Sequence, residues 1–150
     1  MTMEEAAALP LVAITAWEAL FNRAHLVPGQ DILIHAATGG VGHIAIQLAK
    51  WKGATVYTTA SSQEKLEIGT HLGADVTINY REESVHDYVQ KYTDGKGFDV
   101  VFDTVGEKTL IALLRRLRYM ERWLPLQPVQ LMTSPKCIQR DFLCMLPLCC

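Results

Sequence analysis

Hydrophobic positions along this chain switch between two spacings in a regular order. Asp31 to Ala36 (DILIHA) is a short apolar run bounded by PGQ and a glycine-rich turn, and it predicts a strand. Past the turn, Val41, Ile44, Ala45, Leu48 and Ala49 recur at i, i+3, i+4, i+7 and i+8, the spacing of one helix face. Ala54 to Thr59 is β-branched and strand-like. SSQEKLEIGTHLG then predicts a helix capped by the side chain of Ser61 or Ser62 and ended at Gly73. Asp75 to Tyr80 predicts the next strand, and Val85, Tyr88, Val89 and Tyr92 mark a helix stripe closed by DGKG. Phe98 to Gly106 (FDVVFDTVG) has the apolar run of a buried strand, and Leu110, Leu113, Leu114 and Leu117 mark a further helix. Strands separated by helices of this length require crossovers, hence a parallel sheet with helices on both faces. The fold class expected is α/β, doubly wound.

The two ends depart from this pattern. Residues 1–24 predict a helix-rich entry segment, strongest over Ala6 to Leu9 and Ala13 to Phe21, with a break at Pro10. After Met120 the sequence holds four prolines and no glycine, and the regular spacing is lost. Leu124, Leu126 and Val129 could supply one more strand, with Pro125 confining it to an edge or a strand end.

Composition narrows the function classes. A chain of 150 residues with 49% hydrophobic and 20% charged residues suits one globular domain. A net charge of −2 offers no electrostatic footprint for nucleic acid. No apolar run approaches the ~20 residues that span a bilayer, and the acidic start argues against a secretory signal. A cytoplasmic location is expected. Cys137, Cys144, Cys149 and Cys150 crowd the last fourteen residues without a C-x-x-C pair, so free thiols are expected and no metal site is. The five histidines are scattered.

The chemistry concentrates at Ala37-Thr38-Gly39-Gly40-Val41-Gly42, which fits A-x-G-x-x-G, the dinucleotide fingerprint with alanine at its first position. The first small residue makes the tight turn, Gly39 admits a pyrophosphate, and Gly42 lets the helix pack close to the strand. The turn follows a strand and opens a helix, the context in which phosphates bind backbone N–H groups at a helix N-terminus. A bare strand-to-helix turn is the alternative. About twenty residues on, where NAD-binding proteins carry an acid, stand Thr59, Ala60, Ser61 and Ser62, with Lys65 one helical turn later. No carboxylate opposes a 2′-phosphate there, and hydroxyls and a cation can bind it. NADPH is therefore the expected cofactor. A serine N-cap beside a solvated lysine is compatible with the same residues.

AAALPLVAITAWEAL, GQDILIHAATGGVGHIAIQLAK, LGADVTINYREE and FDVVFDTVG together resemble the nucleotide-binding half of medium-chain dehydrogenase/reductases, in the quinone oxidoreductase (zeta-crystallin-like) branch. The resemblance covers about Ala6 to Arg118. It implies a Rossmann-type domain over residues 25–124, between the entry segment and an irregular C-terminal tail over 125–150. It implies hydride transfer from NADPH to a small quinone or enone and allows a homodimer. Thr38, Gly39, Gly40 and Val41 would meet the phosphates with Gly42 packing the helix behind them, Ser61 and Lys65 the 2′-phosphate, and Tyr80 the adenosine end, a packed aromatic at a strand end being the alternative for Tyr80. Val105 and Gly106 would line the cofactor groove. Thr15 matches the family's threonine beside the nicotinamide, although a helix threonine bonding its own backbone is the plainer account. Zinc-dependent relatives carry a cysteine ligand where Leu11 stands, so zinc independence is expected. The resemblance identifies no catalytic residue. Two departures stand out: the family's β-rich substrate domain has no counterpart here, and Glu121 replaces a glycine of LRxxG. The loss of pattern after Leu126 suggests a truncated or altered end, hence an NADP-binding module without catalysis as the alternative function.

Overall fold

The computed structural model describes residues 2–104, 123–125 and 130–132. The chain enters through α1 (Met3–Trp17), which continues directly into a π-helical segment (Glu18–Arg23). The break expected at Pro10 does not occur, because Pro10 lies inside α1. Ala7 to Leu11 are all exposed, so water can satisfy the carbonyl that the missing proline N–H leaves without a partner. The wider π turns close with Ala24 N–H donating to the Ala19 carbonyl at 3.0 Å. Ala16, Ala19 and Leu20 face inward against Ala45, Ile46 and Ala49.

Nine further elements follow among the described residues: β1 (Asp31–His35), α2 (Gly42–Lys52), β2 (Thr55–Ala60), α3 (Gln63–His71), β3 (Val76–Asn79), α4 (Val85–Thr93), β4 (Val100–Asp103) and the pair β5 (Trp123–Pro125) and β6 (Gln130–Met132) on the sheet's far side. The strand order is β3-β2-β1-β4-β6-β5. β3, β2, β1 and β4 are parallel, with His35 level with Thr59 and Ile34 level with Phe102. The sheet is thus the doubly wound parallel one that the spacing predicts, with one addition. β6 runs antiparallel to β4, and β5 antiparallel to β6. β5 ends at Pro125 and forms the edge, where a residue without an N–H interrupts no ladder. The stripe Leu110 to Leu117 lies outside the described residues.

Alternation along the strands divides the interior into two cores. Ile32, Ile34, Val56, Val100 and Phe102 meet α1, the π segment and α2 on one face. Leu33, Tyr57, Ile78 and Val101 meet Tyr88 and Val89 of α4 on the other. Burying these side chains contributes roughly 1.5–3 kcal/mol each. Gly73, at φ +104°, follows α3 as expected. Ser62 is the N-cap of α3 by position, but its side chain makes no cap hydrogen bond, contrary to the capping expected there. Ser84 does cap α4, in a reciprocal box with Asp87. Lys50 of α2 pairs with Asp75, whose other oxygen accepts from Val56 N–H at 2.8 Å. Along α1, Met3, Leu11, Ile14 and Trp17 remain exposed, and Trp17 and Trp51 stack loosely beside Phe21.

Candidate functional site: the dinucleotide cradle

The C-terminal ends of β1, β2 and β4 lie side by side, the place where open parallel sheets bind ligands. At the end of β1, Ala36 adopts φ +58°, a left-handed conformation that turns the chain sharply off the strand. Gly39 N–H donates to the Ala36 carbonyl at 2.9 Å and tightens the turn. A Cβ on Gly42 would fall inside van der Waals distance of that same carbonyl, so α2 approaches β1 as closely as a glycine permits. The amides of Thr38, Gly40, Val41 and Gly42 donate to no backbone carbonyl among the described residues. Four N–H groups at the start of α2 thus stand ready for an anion, with the positive end of the helix behind them. His43 Nδ1 lies 3.0 Å from the Gly39 carbonyl. Thr38 and Gly40 are exposed, and Gly39 and Val41 are half-buried.

At the end of β2, Ala60 is buried, and Ser61 and Ser62 are half-buried. Neither serine hydroxyl is committed to a cap. Lys65, one turn into α3, is exposed. Tyr80 is 53% exposed, and its N–H donates to the Ala60 carbonyl at 3.3 Å, so the phenol stands at the same edge as the serines. The structure therefore gathers Ser61 and Tyr80 at one corner and the glycine turn at another.

Thr15 sits on the helix that leans on the glycine turn. Val12, one turn earlier, comes within 3.5 Å of where a Gly40 Cβ would lie. The Thr15 hydroxyl donates to the Leu11 carbonyl at 2.7 Å, leaving only its lone pairs for a ligand. Leu11 is 76% exposed and apolar. Among the described residues no three His, Cys, Asp or Glu side chains are grouped to hold a metal ion. Val105, Gly106 and all four cysteines lie outside the described residues.

Sequence spacing missed a buried polar group beneath the cradle. His35 and Asp103, the last residues of β1 and β4, are 3% and 0% exposed, and Thr59 near the end of β2 is 1% exposed. All three share the α4 face of the sheet with Leu33 and Val101. His35 Nδ1 and Thr59 Oγ1 share a hydrogen bond of 2.7 Å. Burial lowers the His35 pKa, and the nearby Asp103 carboxylate opposes that shift. Tyr88 lies below, its pKa raised first by burial and then by Asp103. The signal was a polar residue closing three apolar strands in succession, in DILIH, TVYTT and VVFD.

The family model described as zinc-binding dehydrogenase matches residues 40–124. The chain is 44% identical over 112 residues to a 2-haloacrylate reductase of Burkholderia sp., covering 75% of this chain and 34% of that one. The Escherichia coli quinone oxidoreductase solved with NADPH superposes with a TM-score of 0.75 at 37% identity, covering 79% of this chain and 36% of the other. The nucleotide-binding subdomain of the enoylreductase domain of PpsC from Mycobacterium tuberculosis superposes with a TM-score of 0.65 at 37% identity, covering 71% and 60%. The chain thus spans about a third of the length of the 2-haloacrylate reductase and the quinone oxidoreductase. Family, fold and cradle coincide: this chain belongs to the zinc-binding dehydrogenase family of the medium-chain dehydrogenase/reductase superfamily and carries its nucleotide-binding half.

Proposed function

We propose that this chain binds NADPH as the cofactor-holding half of a reductase that acts on a small quinone or enone. One observation carries the reading: four uncommitted amides at the α2 N-terminus face the same strand ends as Ser61, with no carboxylate at Ala60. Thr38, Gly39, Gly40 and Val41 hold the pyrophosphate, and Gly42 brings the helix close enough for them to do so. Ser61 and Lys65 hold the 2′-phosphate, the lysine as a mobile point charge. Tyr80 flanks the adenosine. Thr15 accepts a hydrogen bond from the nicotinamide carboxamide, the role left to it once its proton serves Leu11. Val105 and Gly106 line the groove beyond β4. Bound NADPH supplies the hydride; the residues of this chain bind, orient and shield the dinucleotide. Similarity to reductases of 2-haloacrylate and of quinones supports an electron-poor small molecule as the acceptor.

Calorimetry with NADPH and NADH tests the cofactor, and NADPH oxidation with a simple quinone tests the reaction. Tighter binding of NADPH is expected; equal affinity for NADH would remove the 2′-phosphate assignment. A second reading is binding without turnover. It predicts NADPH affinity with no quinone-dependent oxidation.

A further inference from the structure

His35 touches every strand end that the cradle uses. Its backbone leads straight into the left-handed Ala36 and the glycine turn. Its ring is tied to Thr59 Oγ1 at 2.7 Å, and Thr59 immediately precedes Ala60. Its carbonyl accepts from Thr104 Oγ1 at 3.4 Å, at the far end of β4. A second tie runs from Ala37 N–H to the Thr59 carbonyl at 3.4 Å. A ring so deeply buried, in a face otherwise filled by Leu33, Tyr57 and Val101, costs stability unless its polar atoms do something specific. An apolar residue would fill the same volume but would leave the turn tied to β2 only through Ala37 N–H.

We propose that His35 is a positioning residue for the cofactor cradle, pinning the turn at Thr38–Val41 to the ends of β2 and β4. The assignment of a ligand to that turn rests on the proposed function above; the pinning itself does not. Ring and backbone act together: the hydrogen bond to Thr59 fixes the direction of the His35 side chain, and this fixes where Ala36 and the four turn amides point. The pyrophosphate and 2′-phosphate sites are thereby held at a constant separation.

Amide hydrogen exchange at Ala37 and Gly39, the turn amides bonded to the Thr59 and Ala36 carbonyls, reads the pinning directly in the ligand-free 150-residue chain, and NADPH affinity reads its consequence. His35→Leu and Thr59→Val each remove the ring bond; His35→Asn keeps a polar atom near the Nδ1 position. Leu and Val variants are expected to exchange faster at the turn than in β1 itself and to bind NADPH about tenfold more weakly. The Asn variant should restore both to near the native values. A lowered melting temperature in the Leu and Val variants with native exchange at the turn would overturn the proposal, because it would make His35 a packing residue only. If His35→Leu fails to fold, Thr59→Val on the opposite side of the same bond decides the matter. Native exchange changes in a chain that binds no dinucleotide would support the pinning while removing the proposed cofactor.

Discussion

Under the proposed NADPH reading, Ala60 stands where an acid would select NAD, and Ser62 after it makes no cap hydrogen bond among the described residues. Ala60→Asp is expected to weaken NADPH at least about tenfold relative to NADH, through repulsion of the 2′-phosphate and a new acceptor for the ribose hydroxyls. Unchanged NADPH affinity in calorimetry would displace the adenosine end from this corner. His35 carries a second residue-scale prediction. Its pKa in the folded chain lies below the ordinary 6.5, so the unfolded chain takes up a proton that the folded one refuses. Stability is therefore intact above pH 6.5 and declines as pH falls toward the folded-state value, by at most about 1.4 kcal/mol per pH unit. Asp103 from β4 acts on the same ring and Thr59 from β2 bonds it, while Tyr88 from α4 feels the Asp103 charge; Asp103 narrows the window from its acid side. Urea unfolding at several pH values should show this acid decline in the native chain and a smaller one in His35→Asn. The glycines were legible in the sequence because a turn demands them. His35 was not, since a buried histidine differs from a surface one only in what other strands bring beside it.

Elements were legible where periodicity and end signals agreed. β1, α2, β2, α3, β3 and α4 fall where the hydrophobic spacing puts them, within a residue or two, and β4 (Val100–Asp103) lies inside the run Phe98 to Gly106 expected for it. Pro10 misled because its local preference yields to a helix whose inner face is held by Ala16 and Leu20 against α2. The π segment was invisible in advance: its distinction from an α-helix is a single bond shift that no residue type announces. Ser62 and Ser84 show the limit of cap signals. Both stand at N-caps, but only Ser84 bonds to its N3 residue, Asp87. Ser84→Ala should cost about 1 kcal/mol in chemical denaturation, and Ser62→Ala under about 0.5 kcal/mol. The inverse ranking would mean that the Ser62 hydroxyl serves α3 after all, and would take from the 2′-phosphate corner one of its free oxygens.

On the scale of the molecule, a two-faced sheet explains why a chain spanning a third of its full-length relatives can hold a cradle in shape. α1, the π segment and α2 close one core and α4 closes the other, with the strand ends between them. The face along α1 carries a different consequence. Met3, Leu11, Ile14, Trp17 and Trp51 are exposed at 82%, 76%, 66%, 47% and 70%, on a chain whose net charge is −2 with its five histidines neutral. With a sequence pI of about 6.2, that charge vanishes near pH 6, which removes the long-range repulsion keeping such faces apart. In light scattering, particle size should grow with concentration near pH 6 and shrink toward pH 8. Trp51→Glu should suppress the growth, and equal growth in that variant would shift the origin away from this face. The apolar face shared by α1 and Trp51 is thus the expected origin of pH-dependent self-association in this chain.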